Sequence, residues 1–499
     1  MHINMPDIEL ESLSMTSLEM QSTRSTFGQS MHDDTATLVH NPVTDSNLVD
    51  WDGQDDVTHP RNWSKFSKLR IIAQLSLLAF YSTLILAIIT PATSDLIAEF
   101  RITNKVVATM TETISSLGAA IGPLVLAPLS EITGRQRVCW GSGILYVVFT
   151  AGCSRSNGVT TYLVLRFFCG VSSGSFIACG CGSIADLLVN DERGTAVATF
   201  TLFSLLGAAC GPGIGAFAVD RIGWRSTLYM GILLSGISTL FSFIFMTETN
   251  ATILLARKAA HLRKETGNPA LRPAGEIRVP SLRRFSSALT LPLRILFLSP
   301  IVLTLGVYNA VAFGLTHLIL ATFPIVYQEV YHGAASVSLL SFMVPGFGCL
   351  IGAFVFASKS DKILQRGNGP ESRLLLLLPV SPTLATGFTW YGWAATFPKN
   401  VLGPAFGTAL IGVGIALLTA STAIYMIDTF GPEGAASGLA AVLLILNVSE
   451  TFIPLAAEPM YRKYAVGYES TIMTVVILIL MPVPIFFISS VVGCEKDFL

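Results

Sequence analysis

Between Leu117 and Arg137 the chain reads LGAAIGPLVLAPLSEITGRQR, an apolar run too rich in glycine for an ordinary soluble helix, closed by a polar turn with two arginines. A membrane span that leaves the bilayer on its positively charged, cytoplasmic side has this look. The pattern returns 230 residues later: Gly118, Ile121, Gly122, Val125, Ala127 and Ser130 fall on Gly348, Ile351, Gly352, Val355, Ala357 and Ser360, with Glu131 on Asp361. Six identities in register without a gap indicate an internal duplication, two halves each with a charged turn after its second span.

Lipid must then be the solvent for much of the surface. Charged residues are 13% of the 499 and hydrophobic ones 52%, whereas soluble domains carry about 25% charged residues. Apolar runs recur at roughly 69–91, 106–129, 138–156, 160–187, 195–219, 224–246, 300–323, 336–357, 374–395, 401–427, 435–457 and 470–493. Each is near the ~20 residues a helix needs to cross the hydrocarbon, and about twice the length of a barrel strand. The expected fold is therefore an all-α integral membrane protein of twelve transmembrane helices in two six-helix halves, 69–246 and 300–493. A polar tail, 1–68, precedes them and is expected to be largely disordered; 247–299 is a basic linker and 494–499 a short tail. Arginine and lysine gather in the tail, the linker and the loops after the second and eighth runs, which sets both termini in the cytoplasm. Under that orientation Asn62 and Asn250 face the cytoplasm and Asn447 lies in the bilayer, so none of these Asn-x-Ser/Thr sites is glycosylated. The net charge of −1 speaks against a nucleic-acid partner, and the cysteines, Cys494 apart, sit in or beside apolar runs as buried thiols. No metal site, cofactor loop or nucleophile motif stands out, so no enzyme is expected.

Three constellations add to hydropathy. Glu131, Gly134, Arg135 and Arg137 place a carboxylate beside two guanidinium groups at a helix end, which suits an ionic lock between helices. Asp361 and Lys362 repeat it in the second half, and a lock of this kind suits a gate. Arg166 lies inside the fourth run, where an arginine is costly unless it snorkels to the outer surface or faces a wet cavity; Glu112, at similar depth in the second run, is a candidate counter-ion. Gly207, Gly211, Pro212 and Gly215 give the fifth run a proline and a face without side chains, which suits close helix packing and could also seal one half against the other.

Together these stretches resemble the signature motifs of the major facilitator superfamily, in particular its twelve-span drug:proton antiporters. Ala127-Pro-Leu-Ser130-Glu131-Ile-Thr-Gly134-Arg135-Gln-Arg137 resembles the loop pattern G-x-x-x-D-R-x-G-R-R. Arg166-Phe-Phe-Cys169-Gly170 resembles R-x-x-x-G, and Gly207 to Ala216 the antiporter pattern G-x-x-x-G-P-x-x-G-G. Pro60-Arg-Asn-Trp63-Ser, Asp186 with Glu192-Arg193-Gly194, Gly223-Trp224-Arg225 and Pro370-Glu-Ser-Arg373-Leu look like its fungal branch. The chain departs from the patterns at Ala127, Glu131, Ile132, Cys169 and Ala216, and residues 69–91 hold no acidic residue where many bacterial antiporters have one.

The resemblance implies a substrate pocket at the midplane between the halves, with Gln74, Tyr81, Arg166, Tyr308, Asn309, Thr419, Thr422 and Tyr425 as polar or aromatic wall candidates. Candidates for the proton are Glu450, the deepest carboxylate, with Glu112 and His317. The expected function is proton-driven export of drugs, toxins or secondary metabolites by alternating access. Export of organic acids or polyamines, or a transport-inactive sensor on the same fold, are the alternatives. Expected partners are a small-molecule substrate, protons and membrane lipid; the protein is expected to be a monomer in the plasma membrane, with the vacuolar membrane as the alternative.

Overall fold

A computed structural model describes residues 47–482 except 54, 190–191, 275–281, 327–334, 367–369, 398–401, 458, 461–463 and 465. Helices stand at the expected apolar runs among the described residues; the twelfth run, expected over 470–493, is described only to residue 482. The first bundle comprises α1 (Lys65–Ala87), a short α2 (Thr93–Glu99), α3 (Lys105–Thr133), α4 (Arg135–Ser154), α5 (Val159–Leu187), α6 (Arg193–Ile222) and α7 (Arg225–Phe245). The linker supplies α8 (Ala251–Thr266) and α9 (Leu282–Leu298). The second bundle comprises α10 (Pro300–Ile325), α11 (Ala335–Arg366), α12 (Val380–Thr396), α13 (Leu402–Phe452) and α14 (Val466–Ile479). α13 is two spans joined at Gly431, whose φ of 63° breaks the helix. Among the described residues, ten stretches are long and apolar enough to cross a membrane. The other two places are α4, which starts on Arg135, Gln136 and Arg137, and α14, whose described part is short.

Caps fix the helix starts. Ser64 Oγ accepts from Ser67 N (3.3 Å) ahead of α1, and Asn104 Oδ1 accepts from Val106 N (2.9 Å) ahead of α3. The residues just before α1 differ from the disordered tail expected to residue 68. Trp51 to Trp63 fold around Asp56, whose carboxylate accepts from Thr58 Oγ1 (2.6 Å), Asp52 N (2.9 Å), Thr58 N (2.8 Å) and Lys258 Nζ of α8 (2.9 Å). Those bonds, the Thr58 hydroxyl first, hold the Asp56 carboxyl well below the usual carboxylate range. Residues 1–46 of the expected tail, and 483–499 at the other end, lie outside the described residues.

The chain forms two compact units, 51–258 with 275–499, and 1–50 with 259–274. In the smaller, β1 (Leu48–Val49) pairs in parallel with β2 (Arg272–Pro273). In the larger, the duplication is visible in backbone packing. α3 and α5 approach so closely that a Cβ on Gly118 would strike the Phe167 carbonyl, and one on Gly170 the Ser115 carbonyl. The second bundle repeats this: a Cβ on Gly348 would strike the Ala409 carbonyl, and one on Gly412 the Pro345 carbonyl. Small residues let membrane helices associate through dispersion contacts, the main attraction left where lipid is as apolar as the side chains.

The glycine face of α6 serves close packing within its own bundle. Gly207, Gly211 and Gly215 pack on the backbone of α1 at Phe80, Leu84 and Ile88, inside the first bundle. Between bundles, Ala209 and Leu206 of α6 meet Gly346 of α11. α6 thus uses its glycines to bind its own bundle and an adjoining strip to touch the other.

Candidate functional site

Two ionic constellations lie at opposite ends of the seam between the bundles. At the end of the charged turns, α3 closes at Gly134, whose φ of 106° reverses the chain. Arg135 then enters α4 fully buried; its Nη1 donates to Ser130 Oγ (2.6 Å) and its Nε lies 3.5 Å from Asp186 Oδ2 at the end of α5. The reversal at Gly134 brings Arg135 to Asp186 as an ion-pair partner, while Glu131 also acts on Arg135 electrostatically. Glu131 contributes its carbonyl, which accepts from Asn250 Nδ2 (3.3 Å). Arg137 is exposed. Glu248, unremarked in the sequence, receives the first backbone N–H groups of α4, Arg135 N at 3.0 Å and Gln136 N at 3.3 Å. A carboxylate at a helix N-terminus is favoured by the dipole, and a Cβ on Gly134 would collide with it.

The second bundle builds the same Ser–Arg–Asp arrangement. Arg373 Nη1 donates to Ser360 Oγ (3.3 Å) and its Nε lies 3.2 Å from Asp428 Oδ2. Asp428 has a second cation: Arg193, from the first bundle, reaches it at 3.4 Å and also donates to the carbonyls of Leu188 (3.0 Å) and Ala185 (3.1 Å). Asp428 is thus clamped between one arginine of each bundle. Of the expected counterparts, Lys362 is exposed, and the side chain of Asp361 lies outside the described residues. The clue to Asp428 was present in the chain: it ends the tenth span as Asp186 ends the fourth.

At the other end of the seam the proton candidates form a row. Glu112 on α3 accepts from Thr90 Oγ1 (2.8 Å). Across the seam His317 on α10 lies 3.5 Å from Glu450 on α13. Glu450 also bonds the Ser116 hydroxyl of α3, and Thr451 Oγ1 donates to the Thr113 carbonyl (3.4 Å). Glu112 feels both His317 and Arg166 electrostatically. Arg166 makes no described ion pair with Glu112; it is fully buried among α1, α4 and α5, with Nη2 donating to the Leu86 carbonyl.

Of the wall candidates, Asn309 and Thr422 come together: Asn309 Nδ2 donates to Thr422 Oγ1 (2.9 Å) and to the Leu305 carbonyl (2.8 Å). Tyr308 turns into the second bundle, its hydroxyl 2.6 Å from Ser381 Oγ, and so is a packing residue there. Thr419 bonds its own helix at Ile415 (2.8 Å), Tyr425 is buried, and Tyr81 is half-buried against Phe80. Gln74 is buried, and neither heteroatom of its amide has a hydrogen-bond partner. Two cavities lie within the second bundle. One of about 660 Å³ is lined by Thr386, Thr389, Trp390, Trp393 and Thr474, and one of about 340 Å³ by Leu315, Phe452, Met460 and Met473.

Repeated helical bundles with many apolar spans, joined by buried ion pairs, define a multi-pass membrane protein of internally duplicated build. The chain belongs to the Major Facilitator Superfamily, whose sequence profile matches residues 75–454. It is 39% identical over 456 residues to the MFS transporter fsa7 of a Fusarium species, covering 91% of this chain and 90% of that one. It is 36% identical to a trichosetin biosynthesis cluster MFS transporter of Gibberella fujikuroi (90% and 89% covered) and 33% identical to the efflux pump radE of Floropilus chiversii (88% and 83% covered). Among solved structures, the proton:xylose symporter XylE superposes with a TM-score of 0.64 at 14% identity, over 84% of this chain and 95% of that one.

Proposed function

We propose that this membrane transporter is a proton-driven exporter of fungal secondary metabolites that works by alternating access. The observation that carries the reading is the placing of ionisable groups at both ends of one buried seam: Arg193–Asp428–Arg373 at the turn end and Glu112, His317 and Glu450 at the other. Contacts of this kind hold one end shut while the other opens, and a protonatable group among them ties the exchange to a gradient. A proton gradient supplies about 1.4 kcal/mol per pH unit, and membrane potential about 2.3 kcal/mol per charge per 100 mV. The names of the relatives favour export of a metabolite made by a biosynthetic cluster. The unsatisfied Gln74 amide, with Asn309 and Thr422, offers hydrogen bonds in an otherwise apolar wall, which suits a largely apolar solute with a few polar groups. We also assign the turn end, with Ser130 and Ser360, to the cytoplasm. Inside-out vesicles containing the protein should accumulate a labelled apolar metabolite when their lumen is acid, and lose it on adding a protonophore. Accumulation unaffected by the protonophore would refute proton drive, and binding without accumulation would point to a sensor.

A further inference from the structure

The larger cavity, about 660 Å³, has no part in the seam: α12, the start of α13 and α14 line it, all in the second bundle. Trp390 and Phe397 of its wall, and Phe406 and Tyr468 packed on that wall, are exposed on apolar helices, so it opens toward lipid. Its volume falls in the ~300–1,000 Å³ range of small-molecule sites. Along α12 the lining runs from Ala385 to Phe397, about 18 Å at the helical rise. That is the depth of one leaflet of a ~30 Å hydrocarbon. The walls then choose among molecules of this length. No charged side chain lines the cavity among the described residues, so a phosphate or carboxylate head group finds no partner there. Thr386 donates to the Pro382 carbonyl (2.8 Å), while Thr389 and Thr474 share a bond (2.9 Å) and reach the carbonyls of Ala385 and Ser470 (both 2.9 Å). Their hydrogens are spent within the protein, as is the Trp390 N–H on the Gly403 carbonyl (3.1 Å). The Trp393 N–H, near the end of α12, makes no hydrogen bond among the described residues. The rings are held in place: Trp393 stacks on Phe397 at 5.9 Å and meets Tyr468 edge-on at 5.7 Å. Ordering a flexible acyl chain against fixed plates costs rotamer entropy, and a rigid fused-ring molecule avoids that cost. We propose that this cavity is a sterol site. The fused rings lie against Trp390 and Trp393, the hydroxyl oxygen accepts from Trp393 Nε1, and the tail runs past Ala385 toward the middle of the bilayer. The site lies inside one bundle, apart from the solute path, and is independent of proton drive.

The test uses full-length protein in phosphatidylcholine nanodiscs, irradiated with a cholesterol that carries a diazirine on its ring system, with the adducts mapped by mass spectrometry. Labels should concentrate on α12, the start of α13 and α14. An excess of unmodified cholesterol should remove them, and an equal excess of oleic acid should not. Trp393→Phe keeps a flat ring and loses the N–H, so the cholesterol needed for half-maximal labelling should rise about fivefold, as for one lost neutral hydrogen bond. Gly403→Leu fills the cavity where an added Cβ already comes within 3.3 Å of Ala394, and should abolish labelling there. Trp393→Phe keeps the test decisive if Gly403→Leu fails to fold. Labels spread evenly over the lipid-facing helices, or removed equally by oleic acid, mark an ordinary acyl-chain annulus and overturn the assignment. So does a Trp393→Phe protein that labels at wild-type cholesterol levels, or a folded Gly403→Leu protein that labels undiminished at these walls.

Discussion

Asp428 shows why counting charges in loops is not enough to locate a gate. Arg193 and Arg373 enter the sequence reading within short motif matches, and each is all but fully buried against this one carboxylate. Removing one partner of a buried pair leaves an uncompensated charge, a loss of about 3–5 kcal/mol. Asp428→Ala should therefore lower the melting temperature of the solubilised protein markedly. Adding Arg193→Ala should recover part of that loss, since it withdraws one of the two stranded cations. If the two losses simply add, the three residues are not one unit. Arg135 teaches the same lesson. Its nearest acid in sequence is Glu131, yet a positive φ at Gly134 aims it at Asp186, 51 residues on. Hydropathy and spacing carry no information on such a reversal.

Elements were more legible than side-chain partners, because a helix of the right length and polarity is decided locally while its contacts are not. The shift of 230 residues pairs Gly118 with Gly348, and in space both meet a carbonyl of the helix two spans later in their own bundle. The glycines of α6 looked alike in sequence but bind α1 rather than the opposite bundle, since which neighbour a smooth face meets depends on the folded arrangement. Glycine substitutions separate the two kinds of position. Gly118→Ala and Gly348→Ala push a methyl into a backbone carbonyl and should sharply reduce the yield of folded protein in membranes. Gly141→Ala and Gly236→Ala meet open space on helices α4 and α7, and should be neutral or stabilise by up to about 1 kcal/mol. Equal tolerance at all four positions, judged by detergent-resistant folded yield, would refute the close helix approach.

At the scale of the whole molecule the duplication supplies two bundles, and the differences between them supply a direction. Each has its Ser–Arg–Asp set, but among the described residues only Asp428 also takes an arginine from the other bundle. The turn end of the seam can therefore be locked by a single carboxylate. Beside it Ala127, Ala178 and Ala436 meet with no exposed surface, two from the first bundle and one from the second. Alanines leave no side chain to interlock, so the contact can part and reform without rotamer changes. If transport requires that parting, a disulfide between Ala178→Cys and Ala436→Cys should abolish gradient-driven accumulation in vesicles, and a reductant should restore it. Neither substitution replaces an ionisable residue, so the reduced double variant keeps the ion pairs' own side chains and serves as its own control. Undiminished accumulation by fully cross-linked protein would mean that the bundles do not separate at this end, and alternating access about this seam would have to be given up.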